Sequence, residues 1–98
     1  MTKEKMQQYN EYLKRSVNRK QEALDKEIED NVKRIKSGLE HLNALKERED
    51  IDHEYLAYQV LETIDSIKSW SRHLERAMND LQLAKECLAV SDYYKEEE

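Results

Sequence analysis

Lys46-Glu47-Arg48-Glu49-Asp50-Ile51-Asp52-His53 is the stretch that decides the fold. It is the one break in an otherwise periodic apolar pattern, and it sits near the midpoint of a 98-residue chain. Asp52 can cap a helix beginning at His53, because its carboxylate accepts from the orphan N–H groups of a first helical turn. Ile51 and Leu56 then occupy the N′ and N4 positions, a hydrophobic staple that fixes the angle of entry.

Upstream of the break, apolar residues recur at Met6, Tyr9, Leu13, Val17, Leu24, Ile28, Val32, Ile35, Leu39, Leu42 and Leu45. At 100° per residue they share a stripe about 140° wide, as an amphipathic helix requires. Lys20 falls on this stripe as a polar layer. Thr2 is the expected N-cap, with Met1 and Met6 as its staple. Gly38 lies mid-helix, where it costs about 1 kcal/mol relative to Ala but lets a neighbouring helix approach closely. Downstream, the stripe runs through Leu56, Val60, Ile64, Ile67, Leu74, Met78, Leu81 and Leu88, broadened by Trp70, Ala77 and Ala84. It is about 160° wide.

These patterns predict an all-α fold: an antiparallel hairpin of two long amphipathic helices, coiled-coil-like, forming a single domain over 1–98. Helix one is expected at about 3–47, the turn at 48–52, helix two at 53–91 and a disordered acidic tail at 92–98. A short link demands antiparallel neighbours, and folding near residue 50 pairs position i with roughly 100 − i. Leu45 then meets Leu56, Leu42 meets Val60, Ile28 meets Leu74, Leu13 meets Leu88, and Lys20 faces Asp80. The second stripe is wider than one partner helix covers, which predicts a homodimer closing into a four-helix bundle.

Composition agrees. Ala, Glu, Lys, Leu and Arg make up about half of the chain, and there is one Gly and no Pro. That balance fits long helices and leaves too few turn formers for a sandwich or barrel. Charged residues reach 40% and the formal charge is −5. Residues 1–49 carry 12 basic and 10 acidic side chains, whereas residues 50–98 carry 5 and 12. No apolar run approaches the ~18 residues of a membrane span, and the first residues lack the core of a signal peptide. The single Cys fits a reducing compartment, so a cytoplasmic location is expected.

Few motifs carry chemistry. Di-iron helical proteins place Glu-x-x-His on facing helices, but Gly38, Asp50 and Trp70 precede His41, His53 and His73 by three. One Cys cannot build a thiolate zinc site. Cys87 has no sequence-near His to activate it, and phosphate-cradling loops need several glycines. The basic pairs Lys14-Arg15, Arg19-Lys20 and Lys33-Arg34 are diluted by nearby carboxylates, and the net field repels phosphate. No catalytic residues, metal, cofactor, small-molecule substrate, nucleic acid or membrane is therefore expected. The reverse possibility is an acidic nucleic-acid mimic presenting Asp50, Asp52, Glu54, Glu62, Asp65, Glu75, Asp80 and Glu86.

Three features point instead to a protein partner. Six Tyr, one Trp and no Phe give the hairpin amphipathic aromatics of the kind enriched at binding hot spots. Tyr9, Tyr12, Tyr93 and Tyr94 gather at one end, Tyr55 and Tyr58 near the turn. Tyr12 and Tyr58 point away from the seam. A second apolar row, Leu83, Cys87, Val90 and Tyr94, lies about 160° from the main stripe, as expected of faces read by a groove or another helix. Trp70 sits on the edge of the broad stripe, where burial in the hairpin or at a dimer interface is expected.

In length, in its two antiparallel helices and in the spacings Tyr93…Glu97 and Tyr94…Glu98, the chain resembles the small helical-hairpin proteins of type VII secretion. It departs from their pattern at the turn, which lacks the Trp-x-Gly between the helices. The resemblance implies a secreted or secretion-linked hairpin. The residues themselves favour a non-enzymatic interaction protein, an inhibitor, adaptor or small chaperone, that binds through Leu83, Cys87, Val90, Tyr94, Tyr93, Tyr12, Tyr58 and Trp70.

Overall fold

The computed structural model describes residues 2–97, with side-chain environments given from Thr2 to Tyr94. The Met1 half of the expected staple and the Tyr94-to-Glu98 spacing lie outside the described residues. Two helices make up the fold, α1 over Lys3–Lys46 and α2 over His53–Glu97, and there is no strand among the described residues. The chain is thus all-α.

Thr2 caps α1 as its position predicts. Its hydroxyl accepts the Lys5 N–H at 3.2 Å and its carbonyl accepts the Met6 N–H at 3.0 Å. At the other end, Glu47 N–H still bonds to the Asn43 carbonyl, and Arg48 N–H bonds to that of Leu45, a tightening that satisfies orphan carbonyls of the last turn. Arg48 then grips Asp50 with two parallel bonds, Nε to Oδ1 at 3.2 Å and Nη2 to Oδ2 at 3.1 Å. This fork holds the Asp50 carboxyl below its ordinary pKa and raises that of Arg48. Asp52 stands at the head of α2, its carbonyl accepting the Leu56 N–H at 3.0 Å.

The contacts divide into two units: residues 1–26 with 75–98, and residues 27–74. Each is an antiparallel pair of helix segments. In the 27–74 unit, a Cβ placed on Gly38 meets Thr63 Cγ2 at 3.2 Å, so the close approach expected of Gly38 is real. In the other unit, Asn10 bonds to Ser91 and Asp92. Both contacts correspond to pairing i with about 101 − i, within one residue of the expected register.

The seam itself is narrower than the stripes suggest. On α2 the more buried positions are Leu56, Gln59, Thr63, Ser66, Ile67, Trp70 and Leu74 in one unit, and Ala77, Leu81, Ala84, Leu88, Ser91 and Asp92 in the other. Apart from the neighbouring pairs 66/67 and 91/92 they are spaced by three or four, close to the 3.5-residue period of a coiled-coil seam. Small and polar side chains fill much of it, with Asn10 and Asn31 buried on α1. The described hydrophobics that are buried are Leu13, Leu45 and Leu81. Tyr9, Ile28, Val32, Leu39, Val60, Ile64 and Met78, which the stripe reading places in the core, are all exposed. Two helices touch along one line, so a stripe of about 140–160° exceeds what they cover, and the line runs where small side chains let the backbones approach.

The acidic end also differs from expectation. α2 continues through Glu97, so residues 92–97 are helical rather than a disordered tail. No Gly or Pro interrupts this stretch. The Asn10 amide ties down Asp92 at 2.6 Å.

Candidate protein-binding groove

In the unit formed by residues 1–26 and 75–98, an open groove of about 450 Å³ runs beside the seam. Met6 and Tyr9 of α1 line one side, and Cys87, Val90, Ser91 and Tyr94 of α2 line the other. Simple helix geometry puts them together. Tyr9 directly precedes the seam residue Asn10, while Cys87 and Val90 directly precede Leu88 and Ser91. In an antiparallel pair, the position before a seam residue turns to the same side on both helices.

Three residues of the proposed row, Cys87, Val90 and Tyr94, are thus brought together. Leu83 is 61% and Val90 57% exposed, and Leu83 continues the row one helical turn before Cys87 without lining the groove. The row lies about 100° round the helix from Ala84, Leu88 and Ser91, on the flank of the seam rather than directly across the helix from it. The reading from large hydrophobics misplaced it, because Ala84 and Ser91 carry the seam here.

Aromatic contacts extend the apolar surface. Tyr9 and Tyr12 stack with ring centroids 6.3 Å apart at 19°. Tyr93 meets Tyr94 edge-on at 5.6 Å and 80°. All four rings are about half exposed. Behind the groove, Asn10 is fully buried. Its Nδ2 donates to Ser91 Oγ at 3.2 Å and to Asp92 Oδ1 at 2.6 Å, while its Oδ1 has no partner. Since Ser91 also lines the groove, this polar link ties one groove wall to the facing helix.

Met6, Tyr9, Ser91 and Asn10 were missed as site residues. The apolar periodicity places Met6 and Tyr9 in the core stripe. A 3.5-residue count from Asn10 and Leu13 would have set Tyr9 beside the seam.

Trp70 and Tyr58 belong to the 27–74 unit. Trp70 is half-buried, with the Arg34 guanidinium 5.8 Å above its ring. Glu27, Arg34, Ser69, Trp70 and His73 line an open cleft of about 420 Å³ there. Tyr58 is exposed, as expected. The Glu62 carboxylate, as an acceptor and as a negative charge, raises the phenol pKa. Tyr12 lines a smaller cleft with Ser16, Arg19, Lys20 and Ala23.

Among the described residues, no group of three or more His, Cys, Asp or Glu is placed to hold a metal ion. No described helix is long and apolar enough to cross a membrane. Compared with protein-family models, curated proteins and solved structures, the chain matches none.

The groove offers apolar walls and phenol hydroxyls at its edge. Such a surface suits burial of an apolar side-chain row, with the hydroxyls as hydrogen-bond donors or acceptors at the rim.

Proposed function

We propose that the chain is a non-enzymatic protein-interaction module, an inhibitor, adaptor or small chaperone, working as a homodimer. Its partner is a protein whose apolar helical face lies along Leu83, Cys87, Val90 and Tyr94 and enters the groove beside Met6 and Tyr9. One observation carries this reading. In a chain that is 40% charged, a continuous apolar row and a facing aromatic wall stand open to solvent, and contiguous apolar surface of this kind marks interaction sites.

The energetics are adequate. Fully burying a Leu or Val side chain is worth about 1.5–3 kcal/mol, and more than half of that surface is still exposed on Leu83 and Val90. Two such side chains supply roughly 2–3 kcal/mol, a 30- to 150-fold change in affinity.

The test is affinity capture from the native host with the wild-type chain beside a Leu83→Glu/Val90→Glu variant. A protein retained by the wild type and lost from the variant supports the proposal. An identical set of captured proteins refutes it.

A further inference from the structure

The unit of residues 27–74 carries a second apolar face that the groove does not include. Ile28, Val32 and Leu39 on α1 are 45%, 59% and 53% exposed, and Val60, Leu61 and Ile64 on α2 are exposed as well. Ile28, Val32 and Leu39 each follow a more buried residue, Glu27, Asn31 and Gly38; Val60 and Ile64 likewise follow Gln59 and Thr63. In an antiparallel pair the position after a seam residue turns to the same side on both helices. The two rows therefore form one face, with the half-buried Ile35 and Ile67 between them.

From this geometry we infer that the Ile28–Val32–Leu39/Val60–Ile64 face is the homodimer interface, and that its occupant is the same face of a second copy. The inference rests on the homodimeric part of the function proposed above and assigns it a surface.

Three observations select a second copy. The first is spacing. Ile28, Val32, Ile35 and Leu39 step by 4, 3 and 4, and Val60, Ile64 and Ile67 step by 4 and 3. Two rows at heptad spacing are what one layer of a four-helix bundle presents to the other. The second is area. With about half of each residue exposed, Ile28, Val32, Leu39, Val60 and Ile64 offer roughly 400 Å² of apolar surface, and the partly exposed Ile35 and Ile67 add to it. A standard interface buries about 800 Å² per partner, roughly 60–65% of it apolar, so this face matches one side of such an interface.

The third is charge. The α1 segment 27–46 carries four acidic and four basic side chains, and the α2 segment 53–74 carries three and two. The chain as a whole stands at −5. The surplus acid of this unit lies in the turn, where residues 47–52 carry four acidic and one basic side chain; the helix segments that bear the face are nearly balanced and do not strongly repel those of a second copy.

The experiment is sedimentation equilibrium on the full chain from about 1 to 200 µM. Four proteins are compared: the wild type, Val32→Glu, Ile64→Glu and Leu83→Glu/Val90→Glu. Circular dichroism of each is recorded alongside. The expected result is a wild type and a Leu83/Val90 variant at twice the 11.8 kDa chain mass. Val32→Glu and Ile64→Glu should stay helical and fall to the monomer mass, a loss of at least 30-fold in self-affinity. A wild type that is monomeric throughout overturns both this inference and the homodimer in the proposed function. A dimer that survives Val32→Glu and Ile64→Glu but is lost in Leu83→Glu/Val90→Glu overturns this inference alone and moves self-association to the groove.

Discussion

Replacing Gly38 probes the helix contact directly. In an isolated helix Gly→Ala gains about 1 kcal/mol, because Gly loses more backbone entropy and Ala adds no strain. Here the new methyl lands 3.2 Å from Thr63 Cγ2, tighter than ordinary van der Waals contact. Thr63 is not free to turn aside. Its hydroxyl donates to the Gln59 carbonyl at 2.9 Å, and rotating χ1 to move the methyl breaks a bond worth about 0.5–1.5 kcal/mol. The gain and the cost are of similar size. Gly38→Ala alone should therefore change stability by no more than about 0.5 kcal/mol.

Thr63→Ser removes Cγ2 and keeps the hydroxyl. In that background Gly38→Ala should recover the full helix-propensity gain of about 1 kcal/mol, giving a coupling near 1 kcal/mol in the double-mutant cycle. Urea unfolding of the four proteins, followed by circular dichroism at one fixed chain concentration, measures it. The concentration must be fixed because self-association shifts apparent stability. If Gly38→Ala stabilises by about 1 kcal/mol in both backgrounds, the coupling is zero and Gly38 does not lie against Thr63.

Other positions give independent readings. Leu81→Ala, at a buried seam position, should cost about 2–5 kcal/mol, whereas Leu83→Glu/Val90→Glu should leave helicity and the urea midpoint nearly unchanged; equal damage from both would make the row ordinary core. Asn10→Leu removes the Nδ2 donor from Ser91 and Asp92 and should cost about 1–3 kcal/mol, offset in part by the loss of the buried oxygen that has no partner. Asn10→Asp sets a second carboxylate where Nδ2 now lies 2.6 Å from Asp92 Oδ1, and should cost more than about 2 kcal/mol at neutral pH and recover on acidification; a pH-independent loss would contradict this. An NMR titration should place the Asp50 carboxyl below the ordinary aspartate value, chiefly because Arg48 holds it, and Arg48→Ala should move it up toward that value. Since that pKa is lower folded than unfolded, the associated stability is present above the unfolded value and is lost as pH falls through the folded one.

Much of the architecture was legible in the residues. The polar break at 46–53, the Thr2 cap and the i-to-about-100 − i register all follow from local rules of capping and periodicity, and the helices obey them. The seam was harder. Counting large hydrophobics at 100° per residue put Val32 and Leu39 inside, yet the helices meet along Asn31, Gly38, Thr63 and Ser66. Hydrophobicity shows what gains from burial, whereas backbone approach depends on small side chains, and a chain with more apolar surface than one neighbour covers leaves that choice open. The same ambiguity hid Met6 and Tyr9 from the candidate site. The row Leu83–Cys87–Val90 was legible because it is apolar where the charged composition predicts polar residues. Asn10 was not, because a lone Asn on a polar chain carries no signal until its partner across the seam is known.

The measurement that bears most directly on the account is the salt dependence of affinity for the captured partner. It should be made by calorimetry between about 50 and 500 mM salt, with the wild type and Leu83→Glu/Val90→Glu. Apolar docking in the groove predicts a Kd that changes little with salt. It also predicts a weakening of roughly 30-fold or more in the variant, from the burial of two aliphatic side chains. A Kd that rises steeply with salt and is indifferent to the Leu83/Val90 substitutions would contradict it, and would place binding on the acidic surface of α2 instead.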